Sequence, residues 1–243
     1  MNKYIEYFTN YVYMNYDMDN DIIRSKYYHS LRVAKIMILL ARKMNLSDDD
    51  TLLAFKIGLC HDLGRFREVE RNGKLDNRIF DHGAYSNKIL YNDTFIKYMD
   101  ITEHELFRKA IYCHNKKDLT NNLDSRETLF ANMLRDADKI DIIGTRSLGN
   151  KLYFEELPTK IVFDNYMNNH SIDICDMKTR ADSTILFLSF VKDLNYDASF
   201  DLVIDSKYLN NLLKVIKVDD NYKELFDEIL EKVYERRGKE YVR

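Results

Sequence analysis

Residues 21–44 read DIIRSKYYHSLRVAKIMILLARKM, and this stretch decides the fold. Ile22, Ile23, Val33, Ile36, Met37, Leu40 and Met44 recur at near-helical spacing, which predicts a long amphipathic helix. Just beyond it, Ser47 precedes Asp48, Asp49 and Asp50. A hydroxyl caps free N–H groups and acids suit a first turn, so a second helix is expected over 48–62. The chain holds seven glycines and one proline in 243 residues. Long helices tolerate that scarcity, whereas a turn-rich β-protein does not.

Working outward, Asp81 is placed to cap a helix from about His82 to Leu90. Thr102-Glu103-His104-Glu105 has capping-box spacing and opens a helix to about His114. Another is expected over 125–143, with Gly144 as its stop, while 64–81 (Gly64, Asn72-Gly73, Asp76-Asn77) reads as a loop. From 150 onward the pattern weakens and Leu157-Pro158 breaks it. Helices are expected near 179–193, 206–216 and 219–237, with Arg236-Arg237-Gly238 as a helix C-terminus. With no repeat and no linker, the expectation is one all-α domain over 1–243. Its core spans about 21–145 and a helical extension covers about 146–243.

Apolar residues at 45% and charged residues at 32% describe a soluble globular chain. A net charge of −3 provides no broad basic field, so nucleic-acid binding is not expected. The strongest apolar run, Ile36 to Ala41, is far too short to cross a bilayer, and residues 1–16 have no signal-peptide pattern. Cys60, Cys113 and Cys175 are odd in number and lack ligand spacing. A disulfide framework is therefore not expected, and a reducing cytoplasm fits.

Against this background stands an ordered series: His29, His61-Asp62, His82, His114 and Asp136. The chain has six histidines and four of them fall here. Imidazole is the commonest protein ligand for first-row metals, and a carboxylate can bridge two of them. Adjacent helical residues diverge by about 100°, so His61 and Asp62 reach one site only where the helix ends. Gly64 is well placed for that turn. His104, between two glutamates, reads as a helix-surface residue, and His170 as a loop residue. Cys60 and Cys113 stand one helical step from proposed ligands and read as buried packing.

The motifs Tyr28-His29-Ser30-Leu31-Arg32-Val33-Ala34, Cys60-His61-Asp62-Leu63-Gly64-Arg65-Phe66 and Arg135-Asp136-Ala137-Asp138-Lys139 resemble those of the HD superfamily of metal-dependent phosphohydrolases. The resemblance covers roughly residues 25–145, and Lys178-Thr179-Arg180-Ala181-Asp182 looks like segments of similar proteins. It implies a helical HD bundle in which His29, His61, Asp62 and Asp136 hold a first metal. His82 and His114 resemble the extra ligands of the dinuclear branch, with Asp62 bridging. Two divalent cations so held can clamp a phosphoryl oxygen and activate water. A histidine-rich, carboxylate-bridged set suits iron, manganese, cobalt or nickel as well as zinc.

Asp62 is expected to act in catalysis as a carboxylate ligand. Phosphate needs positive charge beyond the metals, and Arg65, just past the HD pair, and Lys139, three residues after Asp136, are the candidates to neutralise it. Arg32 is positioned to face the same cleft, and Asp81 and Asp138 to orient a ligand imidazole. The expected substrate is a small phosphate ester or anhydride, nucleotide-like, with no membrane partner. The alternative is a di-iron oxygenase of the same superfamily, whose six-ligand arrangement this series also resembles. A non-catalytic, metal-stabilised sensor is a third reading.

Overall fold

The computed structural model describes residues 1–75, 80–92, 97, 99, 101–119, 122–149 and 151–235. Its contacts cluster into two units, Met1–Asp141 and Ile142–Arg243. The first contains α1 (Asn2–Asn15), α2 (Asp21–Lys43), α3 (Asp48–Cys60), α4 (Leu63–Asn72), α5 (His82–Asn92), α6 (His104–Cys113) and most of α7 (Ser125–Arg146). The second contains β1 (Leu152–Phe154), α8 (Lys160–Met167), α9 (Arg180–Lys192), α10 (Asp197–Asp205), α11 (Tyr208–Val215), β2 (Ile216–Val218) and α12 (Lys223–Glu235). The fold class is all-α. Three-residue strands β1 and β2 pair in parallel, Leu152 opposite Ile216, without altering that class.

Helix α2 begins where the Asn20 carboxamide oxygen accepts from the N–H groups of Ile22 and Ile23, at 2.9 and 3.3 Å. Its apolar stripe buries Ile23, Val33, Met37 and Leu40, mainly against α3, α2 being the principal neighbour of α3. Ser47 caps α3 by accepting from Asp50 N–H at 3.1 Å, as its position predicts. Asp81 likewise accepts from Ala84 N–H at 3.0 Å at the start of α5.

Several local expectations are corrected. The segment read as a loop after Gly64 is helix α4. Leu63, Phe66 and Val69 bury at i, i+3 and i+6, and that tertiary gain outweighs the glycine's low helix propensity. Gly73, at φ 69°, then ends α4 in the left-handed region. Gly144 does not stop α7, which continues to Arg146. The capping box at Thr102 does not form: Glu103 occupies the N-cap without a side-chain cap bond. Its carboxylate instead pairs with Arg126, at 3.0 Å from Nε and 2.7 Å from Nη2. Helices α1, α8 and α10 were not anticipated. Asp76-Asn77 and Arg236-Arg237-Gly238 lie outside the described residues.

Helix α1 is held by aromatic packing. Phe66 is fully buried, with ring centroids 6.2 Å from Phe8 and 5.3 Å from Tyr16. Phe8 stacks on Tyr27 at 5.8 Å, and Thr9 and Tyr27 share a 2.9 Å hydroxyl–hydroxyl hydrogen bond. In the second unit α9 opens with a capping box between Thr179 and Asp182 and packs on β1, α8 and α12. The Tyr166 hydroxyl donates to the Ile229 carbonyl at 2.9 Å. Among the described residues no helix is long and apolar enough to cross a membrane.

Because Phe66 joins α4 to both Phe8 and Tyr16, Phe66→Ala should lower unfolding free energy by about 3–5 kcal/mol. A urea titration should show this as a lower midpoint.

Candidate metal centre

Four imidazoles and three carboxylates converge in the first unit. His29 comes from the middle of α2, His61 and Asp62 from the α3–α4 junction, and His82 from the first residue of α5. His114 follows the end of α6, and Asp138 and Asp141 lie on α7. All four histidines and Asp62 are buried.

Two of the imidazoles are positioned by one local device. His61 and His114 are the residues immediately after Cys60 and Cys113, the last residues of their helices. Helix ends leave carbonyls without intrahelical partners. His61 Nδ1 takes up the Gly58 carbonyl at 2.7 Å, and His114 Nδ1 takes up the Ile111 carbonyl at 2.6 Å. A carbonyl only accepts, so each Nδ1 carries the proton and each Nε2 presents a lone pair. Both preceding cysteines are buried packing residues, and burial pushes the Cys60 thiol up.

The Nε2 atoms meet in pairs: His29 with His61 at 3.3 Å, His82 with His114 at 3.1 Å. Asp62 stands between the pairs. Its Oδ2 is 3.6 Å from Nε2 of His29 and 3.6 Å from that of His61. Its Oδ1 is 3.7 Å from both His82 and His114. Asp62 occupies the N-cap of α4 without making a side-chain cap bond, so the carboxylate is turned inward rather than used on the backbone. These donors fit divalent cations. With metal–nitrogen bonds of about 2.1 Å, two nitrogens about 3.1–3.3 Å apart are neighbouring ligands of one ion. Two sets of His and Asp ligand atoms group closely enough to hold a metal: His29, His61 and Asp138, and His61, Asp62 and His114.

The acidic residue on α7 differs from the one expected. Asp138 Oδ1 lies 3.1 Å from His29 Nε2, whereas Asp136 is fully buried and belongs to neither ligand group. Two residues turn a helix by about 200°, so the two side chains leave α7 in nearly opposite directions. Asp141, which the sequence reading did not single out, is one helical turn from Asp138 and accepts at 2.7 Å from His29 Nδ1. Arg32 does not stand free over the cleft. Its Nε and Nη2 grip Asp141 at 2.6 and 3.0 Å.

Cations border the centre. Lys26, one turn before His29, reaches Asp62 Oδ2 with Nζ at 2.9 Å, another residue that the sequence reading did not single out. The signal available was its i−3 spacing from His29. Arg65 Nε is 4.0 Å from Asp62 Oδ1, while its Nη1 is fixed 2.7 Å from the fully buried Glu68. Lys139 is half-buried, one residue beyond Asp138.

Close approaches hold His82 in place. A Cβ on Gly64 would come 2.5 Å from the His82 carbonyl oxygen, and one on Gly83 would come 2.9 Å from that of Tyr112. Gly64 therefore serves contact between α4 and α5 rather than the turn first assigned to it. Its N–H donates to Ser86 Oγ at 2.8 Å. Asn115 donates to Asp81 at 3.0 Å and lies 3.3 Å from His82 Nδ1, and Lys116 pairs with Asp81.

The electrostatics separate His29 from His61 and His82. Burial drives His61 down to about 4 and His82 to about 2, keeping both neutral. Burial and Lys26 also act downward on His29, but the carboxylates of Asp138 and Asp141 outweigh them and raise its pKa. Burial alone would raise Asp62, yet Lys26 and the surrounding imidazoles hold it well below the usual carboxylate range.

Residues 27–143 match the family model for the HD domain, and HD domains are in the main metal-dependent phosphohydrolases. No curated protein and no solved structure matches the chain.

These shifts predict that stability of the chelator-treated chain peaks near pH 6.5, the ordinary histidine value. As pH falls from about 6.5 toward 4, the unfolded chain takes up a proton that folded His61 refuses, a loss on the order of 3 kcal/mol from that residue. His29 works on the other side: its stabilisation is complete below pH 6.5 and is lost as pH rises through its elevated pKa. Urea unfolding across pH 4–9 measures both limbs; a flat profile contradicts this assignment.

Proposed function

With residues 27–143 an HD domain, we propose that the chain is a metal-dependent phosphohydrolase acting through a two-cation centre on a small, nucleotide-like phosphate ester or anhydride. The observation that carries this is Asp62, whose two oxygens face separate imidazole pairs at 3.6 and 3.7 Å. On the close Nε2 pairs, Oδ2 with His29, His61 and Asp138 would form one ligand set and Oδ1 with His82 and His114 the other, His82 replacing the His61 of the tighter geometric group. Cations bound there supply Lewis acidity toward a phosphoryl oxygen and lower the pKa of water. Iron, manganese, cobalt, nickel and zinc all suit such donors.

The remaining work belongs to the chain's own side chains. Asp62 stays ionised, and so keeps both oxygens available as acceptors. Arg65 is held by Glu68 with its guanidinium 4.0 Å from Asp62. From there it is placed to offset charge developing on phosphoryl oxygens. Lys26 contributes a second positive group at 2.9 Å from Asp62, and Lys139 is a third candidate on α7. Arg32 pairs with Asp141 through Nε and Nη2. The three cysteines are free, in keeping with a reducing, cytoplasmic setting.

The test is hydrolysis of a nucleotide panel and an aryl phosphate by protein loaded in turn with manganese, cobalt, nickel and iron. Asp62→Ala should reduce turnover by more than the roughly 10–100-fold typical of residues that only support a ligand. Oxygen consumption by the iron form without phosphate release would overturn the hydrolase reading in favour of an oxygenase. The choice of acid on α7 is separately measurable. Asp138→Asn should weaken cation binding, and Asp136→Asn should leave it near wild type if the protein folds normally.

A further inference from the structure

His29 differs from the other imidazoles in how it is held. His61 and His114 sit at helix ends and use carbonyls that the helices leave over. His29 lies in the middle of α2, where every nearby carbonyl is already engaged by an amide four residues on. Only a side chain from elsewhere can fix its Nδ1. Asp138 and Asp141, one turn apart on the same face of α7, put a carboxylate on each ring nitrogen, at 3.1 and 2.7 Å. Arg32 is itself one turn beyond His29 on α2. Its two contacts, 2.6 Å to Oδ1 and 3.0 Å to Oδ2, fix the carboxylate plane of the buried Asp141.

We infer that Asp141, locked by Arg32, is the positioning residue that presents His29 Nε2 to a cation, and that it sets the affinity of the His29 side of the centre alone. The inference rests on the two-cation reading above. An acceptor on Nδ1 makes that nitrogen the proton carrier, directs the lone pair of Nε2 into the site and raises the basicity of the ligand. Asp141 reaches the centre through the His29 ring, whose Nε2 faces Asp62 Oδ2 rather than Oδ1, so the effect falls on that side.

The full chain, stripped with chelator, is titrated with cobalt(II) and followed by calorimetry and visible absorption. Wild type should take up two ions. Asp141→Asn should weaken one of them about 10–100-fold and alter its absorption band while leaving the other unchanged. Arg32→Met should act in the same direction with a smaller effect. Arg32→Lys, which keeps the charge but not the two-pronged grip, should fall between Arg32→Met and wild type. His114→Ala is the control and should lose the other ion.

Two ions bound by Asp141→Asn as tightly as by wild type overturn the inference alone, leaving the two-cation reading standing. Equal weakening of both ions also overturns it, since general loosening predicts that result. A wild-type chain that binds no cobalt overturns the inference and the two-cation reading together. One that binds a single ion overturns the two-cation reading and with it the restriction to one side; sensitivity of that ion to Asp141→Asn then keeps Asp141 as the positioning residue, and insensitivity overturns that too.

Discussion

A buried, ionised carboxylate is the constraint around which the first unit is arranged. Taking a charge such as that of Asp62 out of water is expensive unless positive groups and hydrogen bonds replace the lost hydration. Here Lys26 supplies the positive hydrogen-bonding group at 2.9 Å, and four imidazoles, drawn from three other helical elements and the residue just before, face the carboxylate at 3.6–3.7 Å. Helices α2, α3, α5 and α6 therefore have to bring specific residues to one point.

Helix termini accomplish most of this convergence. Cys60-His61 and Cys113-His114 repeat one solution: a buried cysteine closes the helix, and the next residue satisfies a leftover carbonyl with its own ring. A need of the backbone and a need of the site are met by the same hydrogen bond. Asp62 makes the opposite choice, leaving the N-cap of α4 unserved and turning its carboxylate inward. Nearby, Arg135 donates to the carbonyls of Cys113 and Lys117 at 3.2 and 3.0 Å, bracing the turn that carries His114.

The cations around the centre differ in which carboxylate they approach. Arg65 and Lys26 approach Asp62 itself, whereas Arg32 closes on Asp141 and the Lys116 ammonium on Asp81. Counting basic residues near the motif would have treated all four alike. Their partners separate them, and Arg65, while bordering Asp62, is also paired with the buried Glu68.

Periodicity and residue type were enough to read helices α2 and α3 and the all-α class, and the motif resemblance pointed to the histidines and Asp62 that the fold brings together. Apolar spacing, capping chemistry and metal-ligand types are written locally along the chain. Arg135-Asp136-Ala137-Asp138-Lys139-Ile140-Asp141 was not readable in the same way. Three carboxylates stand there, and which ones face His29 depends on the rotation of α7 about its axis, a quantity set by packing against the rest of the unit and absent from the spacing. Gly64 was likewise visible as a glycine, but the reason for it, a carbonyl of α5 within 2.5 Å of its missing side chain, belongs to another helix. The sequence by itself determined which donors are available and on what kind of element each rides. Tertiary structure alone decided which of them meet, because helical phase and helix–helix distance arise only when the helices pack.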